Sequence, residues 1–291
     1  INAGGRIGDA ALGARLLMCD DPDEAAAIAL RLDQLNAERQ AIEAETLAAA
    51  DAEAAAEIGD GPGPSVLVTV GADWHPGVVG LVASRLKDRW RRPTFAVAMA
   101  GETGTGSGRS LPGVDLGRAV RDAVTAGILE KGGGHAMAAG ITVRRGALIE
   151  FRAFLEERLG ADVAAARSRD ALKIDGAMTA AGASLDFMAT IERAGPFGAG
   201  HPEPVFAFPA HRVAFADRVG QNHIRLSLSS STGASLKAIA FRAVGEPLGN
   251  ALEAARNGAP LHIAGNLSVD HWGGSPRVQL RVVDAAEMRP R

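Results

Sequence analysis

From Asp23 to Ile58 the chain contains neither glycine nor proline, and this sets how the remainder can be divided. Asp20-Asp21-Pro22 supplies an acidic cap and a proline for a first helical turn. Ile28, Leu32, Leu35, Ile42 and Leu47 then recur at helical spacing among Glu, Gln and Ala. About 36 residues at 1.5 Å each would reach roughly 54 Å. A helix of that length and acidity is expected to serve as a connector between domains or as a coiled-coil arm. Gly59-Asp60-Gly61-Pro62-Gly63-Pro64 stops it and marks a boundary. Upstream, residues 1–19 read as a loop and then a helix, with Asp9 as cap and Leu12, Leu16 and Leu17 on one face.

The helix also carries the charge asymmetry. Residues 1–60 hold 4 Arg/Lys against 13 Asp/Glu, and the remainder holds 27 against 21. A net charge of −3 therefore conceals a basic body behind one acidic segment. Of the 31 basic residues 27 are arginine, which suits bidentate phosphate contacts, although a GC-rich genome gives the same ratio. Cys19, the one cysteine, rules out a disulfide framework, fits a reducing cytoplasm, and reads as a small buried hydrophobe on a helix. No apolar run approaches the roughly 20 residues that span a bilayer, so no membrane role is expected.

After the boundary, residues 61–170 read as an α/β unit. Strands are expected at Ser65–Val70, Thr94–Met99 and Ile141–Val143, with helices over Gly77–Trp90, Asp115–Ala126 and Ala147–Leu159. Residues 171–291 change texture. A short strand at Leu172–Ile174 and a helix at Ser184–Arg193 precede six strand patterns: Val205–Phe208, Arg212–Phe215, His223–Leu228, Ser235–Phe241, Leu261–Leu267 and Arg277–Val283. One helix, Pro247–Arg256, interrupts them. Short strands with a single inserted helix predict a small Greek-key barrel, and an all-β OB-fold is the candidate.

Three stretches of the α/β unit carry chemistry. Gly132-Gly133-Gly134-His135 reads either as a glycine loop offering amides to an anion, with His135 polarising it, or as a flexible turn. In the stretch 104–110, Ser107 and Arg109 sit two positions apart, so an extended backbone aims a hydroxyl and a guanidinium the same way. The amides of Gly106 and Gly108 would complete a phosphate clamp; the alternative is a hairpin turn. Without a Gly-Lys-Ser/Thr ending it is no nucleotide-triphosphate loop. Trp74 and His75 stand at a strand-to-helix junction, where ligands collect. Trp74 could stack on a base or pack at a seam. In the barrel, Arg212, Arg218, Arg225, Lys237, Arg242, Arg277 and Arg281 interleave with Phe206, Phe215, Phe241 and Trp272, as single-strand binding requires; the alternative is a solvated face over core rings. No cysteine pair and no His-x3-His or Asp-His-His run exists, so no metal site is expected from these residues.

Taken together these motifs resemble the RecJ family of single-stranded-DNA exonucleases in the DHH phosphoesterase superfamily. Ile1-Asn2-Ala3-Gly4-Gly5-Arg6 looks like the closing motif of a DHH catalytic domain. Trp74–Gly80, Ser107–Ser110 and Gly132–His135 look like successive motifs of a DHHA1 domain, and Pro196–Pro204 like the opening of the family's OB domain. His201 and Gly273 depart from the family's usual asparagines. The resemblance implies a DHH remnant at 1–19, a connector at 20–60, DHHA1 at 61–170 and OB at 171–291. It implies 5′-to-3′ hydrolysis of single-stranded DNA with Mn2+ or Mg2+ held by motifs that would precede Ile1; an opening without Met is expected of a piece of a longer protein. It implies that Ser107 and Arg109 bind a 5′-phosphate, aided by Gly108, that Gly132, Gly133, Gly134 and His135 line the cleft with Trp74 and His75, and that His135 contacts the substrate or its transition state. Arg225, Lys237, Arg242, Trp272 and Arg277 would touch DNA in the barrel. The fragment is expected to bind without cutting, in the cytoplasm, with a helicase or single-strand-binding protein as candidate partners. Two rivals stand beside it: a DHH–DHHA1 phosphodiesterase of short or cyclic oligonucleotides, and a non-catalytic module like the C-terminal domain of alanyl-tRNA synthetases.

Overall fold

The computed structural model describes residues 1–169, 171–271 and 274–288. The chain forms two compact units, residues 1–170 and 171–291.

The first unit begins with α1 (Gly4–Ile7) and α2 (Leu12–Met18), then α3 (Pro22–Ile58). Residues 4–7, expected as loop, are therefore a helical turn. Asp9 accepts from the Ala11 amide, and α2 starts three residues beyond it; Leu12 is buried whereas Leu17 is exposed. Cys19 is half-buried at the end of α2, its thiol donating to the Asp21 carbonyl, rather than enclosed in a core. The α3 helix runs its full expected length, with Asp21 accepting from the amides of Asp23 and Glu24. Ile28, Leu32 and Leu35 bury against Ala3 and Leu12. Beyond Leu35 the buried positions pass to Glu43, Thr46, Ala50 and Ala54, and Ile42 is only half-buried. That half is packed, not solvated.

Next come β1 (Leu67–Gly71), α4 (Val79–Trp90), β2 (Thr94–Ala100), β3 (Thr103–Arg109), α5 (Leu116–Thr125), β4 (Lys131–His135), β5 (Ala138–Arg144) and α6 (Leu148–Ser168). They build one sheet in the order β1-β2-β3-β5-β4, with only β1 and β2 parallel. Two glycine-rich stretches expected as loops or turns are strands: 104–110 lies mostly in β3 and the triplet in edge strand β4. Helix α6 runs nine residues past its expected end, through the polar stretch at Arg167-Ser168. One sheet face packs α5 and α6 through Phe95, Leu116, Val120, Ile141, Phe151 and Leu155. On the other, Ala96 and Ala98 pack under α4, with Ala50 of α3 in the same cluster.

In the second unit the expected strand at 172–174 is absent; the pairing falls instead on β6 (Gly176–Ala177). After α7 (Leu185–Glu192), capped by Ser184, comes β7 (Phe206–Val219), one bent strand where two were expected. Pro209 lacks a ladder donor and Ala210 has φ of 53°, so the sequence pattern breaks there while the chain continues. Then follow β8 (His223–Ser229), β9 (Ser235–Ala240), α8 (Pro247–Ala254), β10 (Leu261–Asp270) and β11 (Arg277–Glu287). The order β7-β8-β9-β11-β10 closes through β10–β7, with β9 and β11 parallel: a five-stranded OB barrel with its helix before β10. Phe208, Ile224, Leu226, Leu228, Ile263 and Leu280 fill it.

Candidate nucleic-acid interface

Cross-strand register decides what the sheet of the first unit presents. Ser107 of β3 lies opposite Gly140 of β5, and Gly140 opposite Gly133 of β4. Arg109, Ala138 and His135 form the next row, and Thr105, Thr142 and Lys131 the row before. Directly paired residues share a sheet face, so these nine positions look one way. This is the α4 face, and α4 reaches only its near side: a Cβ on Gly80 would lie 2.9 Å from Arg109 Nη2 and 3.1 Å from Ser107 Oγ. The intervening Gly104, Gly106 and Gly108 face the opposite side, where added Cβ atoms would strike Met99, Ile141 and Phe95.

Gly106 and Gly108 do not form the expected amide clamp. β3 is a central strand paired on both sides, so the glycines beside Ser107 serve core packing, and their amides belong to the ladder rather than to a phosphate. What remains for an anion is side-chain chemistry. Arg109 Nη1 donates to Ser107 Oγ at 2.8 Å and to the Gly108 carbonyl at 2.8 Å. Burial and, second, the charge of Arg6 hold its guanidinium below the usual arginine value. Arg6 in turn donates to the Gly77 carbonyl at 3.2 Å, and Gly77 lacks a side chain because a Cβ there would overlap the Arg6 carbonyl oxygen. Neither guanidinium has a carboxylate partner among the described residues. Two unneutralised cations beside a helix N-terminus favour a polyanion. Arg6 is the site residue that sequence reasoning missed: it lies about 100 positions from Arg109, and only the fold brings them together.

His75 is half-buried and uses Nδ1 to accept the Gly77 amide at 3.0 Å, fixing the junction into α4. Trp74 takes its packing alternative: its indole lies against Gly71 and the α3–α4 cluster, leaving a half-buried ring. His135 is exposed, with Nδ1 accepting from the Met137 amide at 3.3 Å.

The three glycines of β4 differ in kind. A Cβ added to Gly132 would press on Val120 at 2.6 Å, and Gly134 combines φ of 153° with the Ala138 carbonyl oxygen standing where its Cβ would go. Gly133 meets nothing within 4 Å, and neither does its partner Gly140. These two bare positions beside Ser107 have no steric reason inside the unit to lack a side chain. Gly134→Ala is expected to cost about 1–3 kcal/mol of stability in thermal melts. Gly133→Ala should leave the melt unchanged within about 1 kcal/mol.

On the barrel, Arg225 of β8 and Lys237 of β9 point outward on adjacent strands, Arg225 opposite Ile239 and Lys237 between Ser227 and Gln279. Arg225 also approaches Asp217 at 3.8 Å. Arg242, just past β9, has φ of 55° and donates its amide to His223 Nδ1. Arg277 opens β11 opposite Asp270. Trp272 lies outside the described residues. Other arginines of the expected basic face are engaged elsewhere: Arg218 by Glu253 at 2.7 Å, Arg281 by Glu203 and Arg212 by the Gly258 carbonyl. Phe208 is core, whereas Phe241 is 54% exposed with the His223 ring edge-on at 5.1 Å.

Residues 63–161 match the family model of the DHHA1 domain, and residues 174–284 that of the RecJ OB domain. The chain belongs to the RecJ family. The single-stranded-DNA-specific exonuclease RecJ of Salmonella typhimurium is 34% identical over 243 residues, covering 81% of this chain and 41% of that protein. Its counterpart in Dickeya dadantii is 32% identical over 290 residues, 97% of this chain and 49% of that protein. The crystal structure of RecJ in complex with Mn2+ from Thermus thermophilus aligns over 100% of this chain and 40% of its own, with a TM-score of 0.76 at 28% identity. The chain thus spans less than half the length of these RecJ relatives. Among the described residues no three His, Cys, Asp or Glu side chains gather as a metal site. No helix among them is long and apolar enough to cross a membrane.

Proposed function

We propose that this chain is the strand-holding part of a cytoplasmic 5′-to-3′ single-stranded-DNA exonuclease, and that by itself it binds the strand without cutting it. The observation that carries this reading is the Arg6–Arg109 pair, without a carboxylate, above Ser107 and beside the bare backbone of Gly140 and Gly133. A 5′-phosphate would accept from both guanidiniums and from the Ser107 hydroxyl. The nucleotides behind it would run over Gly140 and Gly133, where a strand's sugar and phosphate can approach the sheet closely. His135, in the same row as Arg109, would contact the strand at the sheet edge. Positioning of this kind contributes to catalysis by holding the scissile bond in register. The division into a DHH remnant (1–19), connector helix (20–60), DHHA1 (61–170) and OB (171–291) follows the same proposal. The RecJ OB match favours a longer strand over a dinucleotide, since outward Arg225, Lys237, Arg242 and Arg277 with exposed Phe241 offer phosphate contacts and a stacking ring.

The purified chain incubated with Mn2+ and a 5′-phosphorylated oligonucleotide should retain the strand and release no nucleotides. Sustained degradation at catalytic protein concentrations would overturn this division of labour.

A further inference from the structure

The segment from Pro196 to Pro204 is distinctive in sequence and belongs to the barrel unit. It closes one side of a recess in the barrel unit. His201 shapes that side: its Nε2 contacts the Ala194 carbonyl at 2.9 Å and its ring lies on Phe197 at 5.0 Å. Met188 of α7, Phe197, Phe206 and Leu267 supply apolar walls, and Glu203 and Arg281 a polar rim. Asn266 donates to the carbonyls of Glu203 and Pro204 at 3.2 and 3.0 Å, pinning the segment to β10, so the recess is preformed.

Its volume is about 220 Å³. Pockets for drug-sized ligands run to roughly 300–1,000 Å³, so this one suits a single ring system. Its polar groups are half-used. Arg281 pairs with Glu203 through Nη2, while its Nε is buried with no partner among the described residues. One Glu203 oxygen is engaged by Arg281, which leaves the other as an acceptor on the rim. A ligand that fits this lining is flat, largely apolar on its faces, and carries an N–H on one edge for the free Glu203 oxygen. Every nucleobase meets that description. A phosphate or a peptide carboxylate does not, because Glu192 and Glu203 both line the recess. The recess also adjoins the outward basic row: Arg281 stands beside Ile239 of β9, which is paired with Arg225 of β8.

We propose that this recess is a base pocket, taking one nucleobase of a single strand whose backbone follows the outward face of β8, β9 and β11. The proposal rests on the single-strand reading above. It is tested with a series of oligonucleotides bearing one abasic site at each successive position, titrated against the whole chain by anisotropy. Loss of the base at one position should weaken binding roughly tenfold, the scale of one stacked base. Ile191→Trp, which fills the recess from α7, should bind the intact strand as weakly as wild type binds that abasic strand, and should respond equally to every position. Its melting temperature reports that the barrel remains folded, and Ser268→Leu provides a second filling variant. A wild-type profile that is flat along the strand, with tight binding retained, overturns the pocket alone and leaves the recess to a protein side chain. Absence of any single-strand binding overturns the pocket and the strand-holding reading together.

Discussion

Arg109→Ala should reduce affinity for a 5′-phosphorylated single strand roughly ten- to hundred-fold, corresponding to about 1.5–3 kcal/mol for hydrogen bonds to a charged group. The loss should be much smaller for the same strand ending in a 5′-hydroxyl. Ser107, which accepts from Arg109, would keep its place because β3 is held on both sides by β2 and β5. Arg109→Lys should recover only part of the affinity, since an ammonium keeps the charge but not the planar fork. The slope of log affinity against log salt should shrink by about 0.7 with the cation removed. Titrations with matched phosphorylated and unphosphorylated strands at several salt concentrations measure all three. Equal losses for both ends would remove Arg109 from the phosphate site.

The second large effect concerns stability. Glu43 is a buried carboxylate on α3, held by Arg39 on its own helix and by Arg85 of α4 at 3.3 Å. Removing one member of a buried pair strands the other charges and costs about 3–5 kcal/mol. Arg85 is partly solvated, so Glu43→Ala should fall near the lower figure and lower the melting temperature of the first unit by roughly 6–12 °C. Glu43→Gln, which keeps the shape and an acceptor, should lose less. Trp90 donates to Asp51 of α3 at 2.9 Å, so its fluorescence follows this packing during the melt.

The barrel is legible in the sequence because alternation survives in it: His223–Ser229 places Ile224, Leu226 and Leu228 inside and Arg225 outside, with the period a strand demands. The α/β sheet is harder to read where it matters most. β3 and β4 are rich in glycine, which strands ordinarily avoid, and here close approach by Phe95, Val120 and Ile141 decides against side chains. The clamp geometry of Ser107 and Arg109 is readable from their spacing. The contribution of Arg6 is not, since it depends on α1 meeting the junction before α4. For α3, composition gives the length, while its partners Arg85, Arg89 and Arg152 lie in distant segments that no local pattern joins to it.

Those partners have one more consequence. In β1 the backbone groups of Leu67, Thr69 and Gly71 turn toward β2, which leaves Val68 and Val70 facing outward. An exposed row of this kind invites another chain to add a strand. Here the Val70 amide is taken by Glu53 of α3 at 2.9 Å, and the Val68 carbonyl by Arg152, itself anchored to Glu53 and Glu57. Carboxylates that look from composition like a solubilising coat therefore act as a selvedge, sealing the margin of the sheet against unwanted partners without adding a strand.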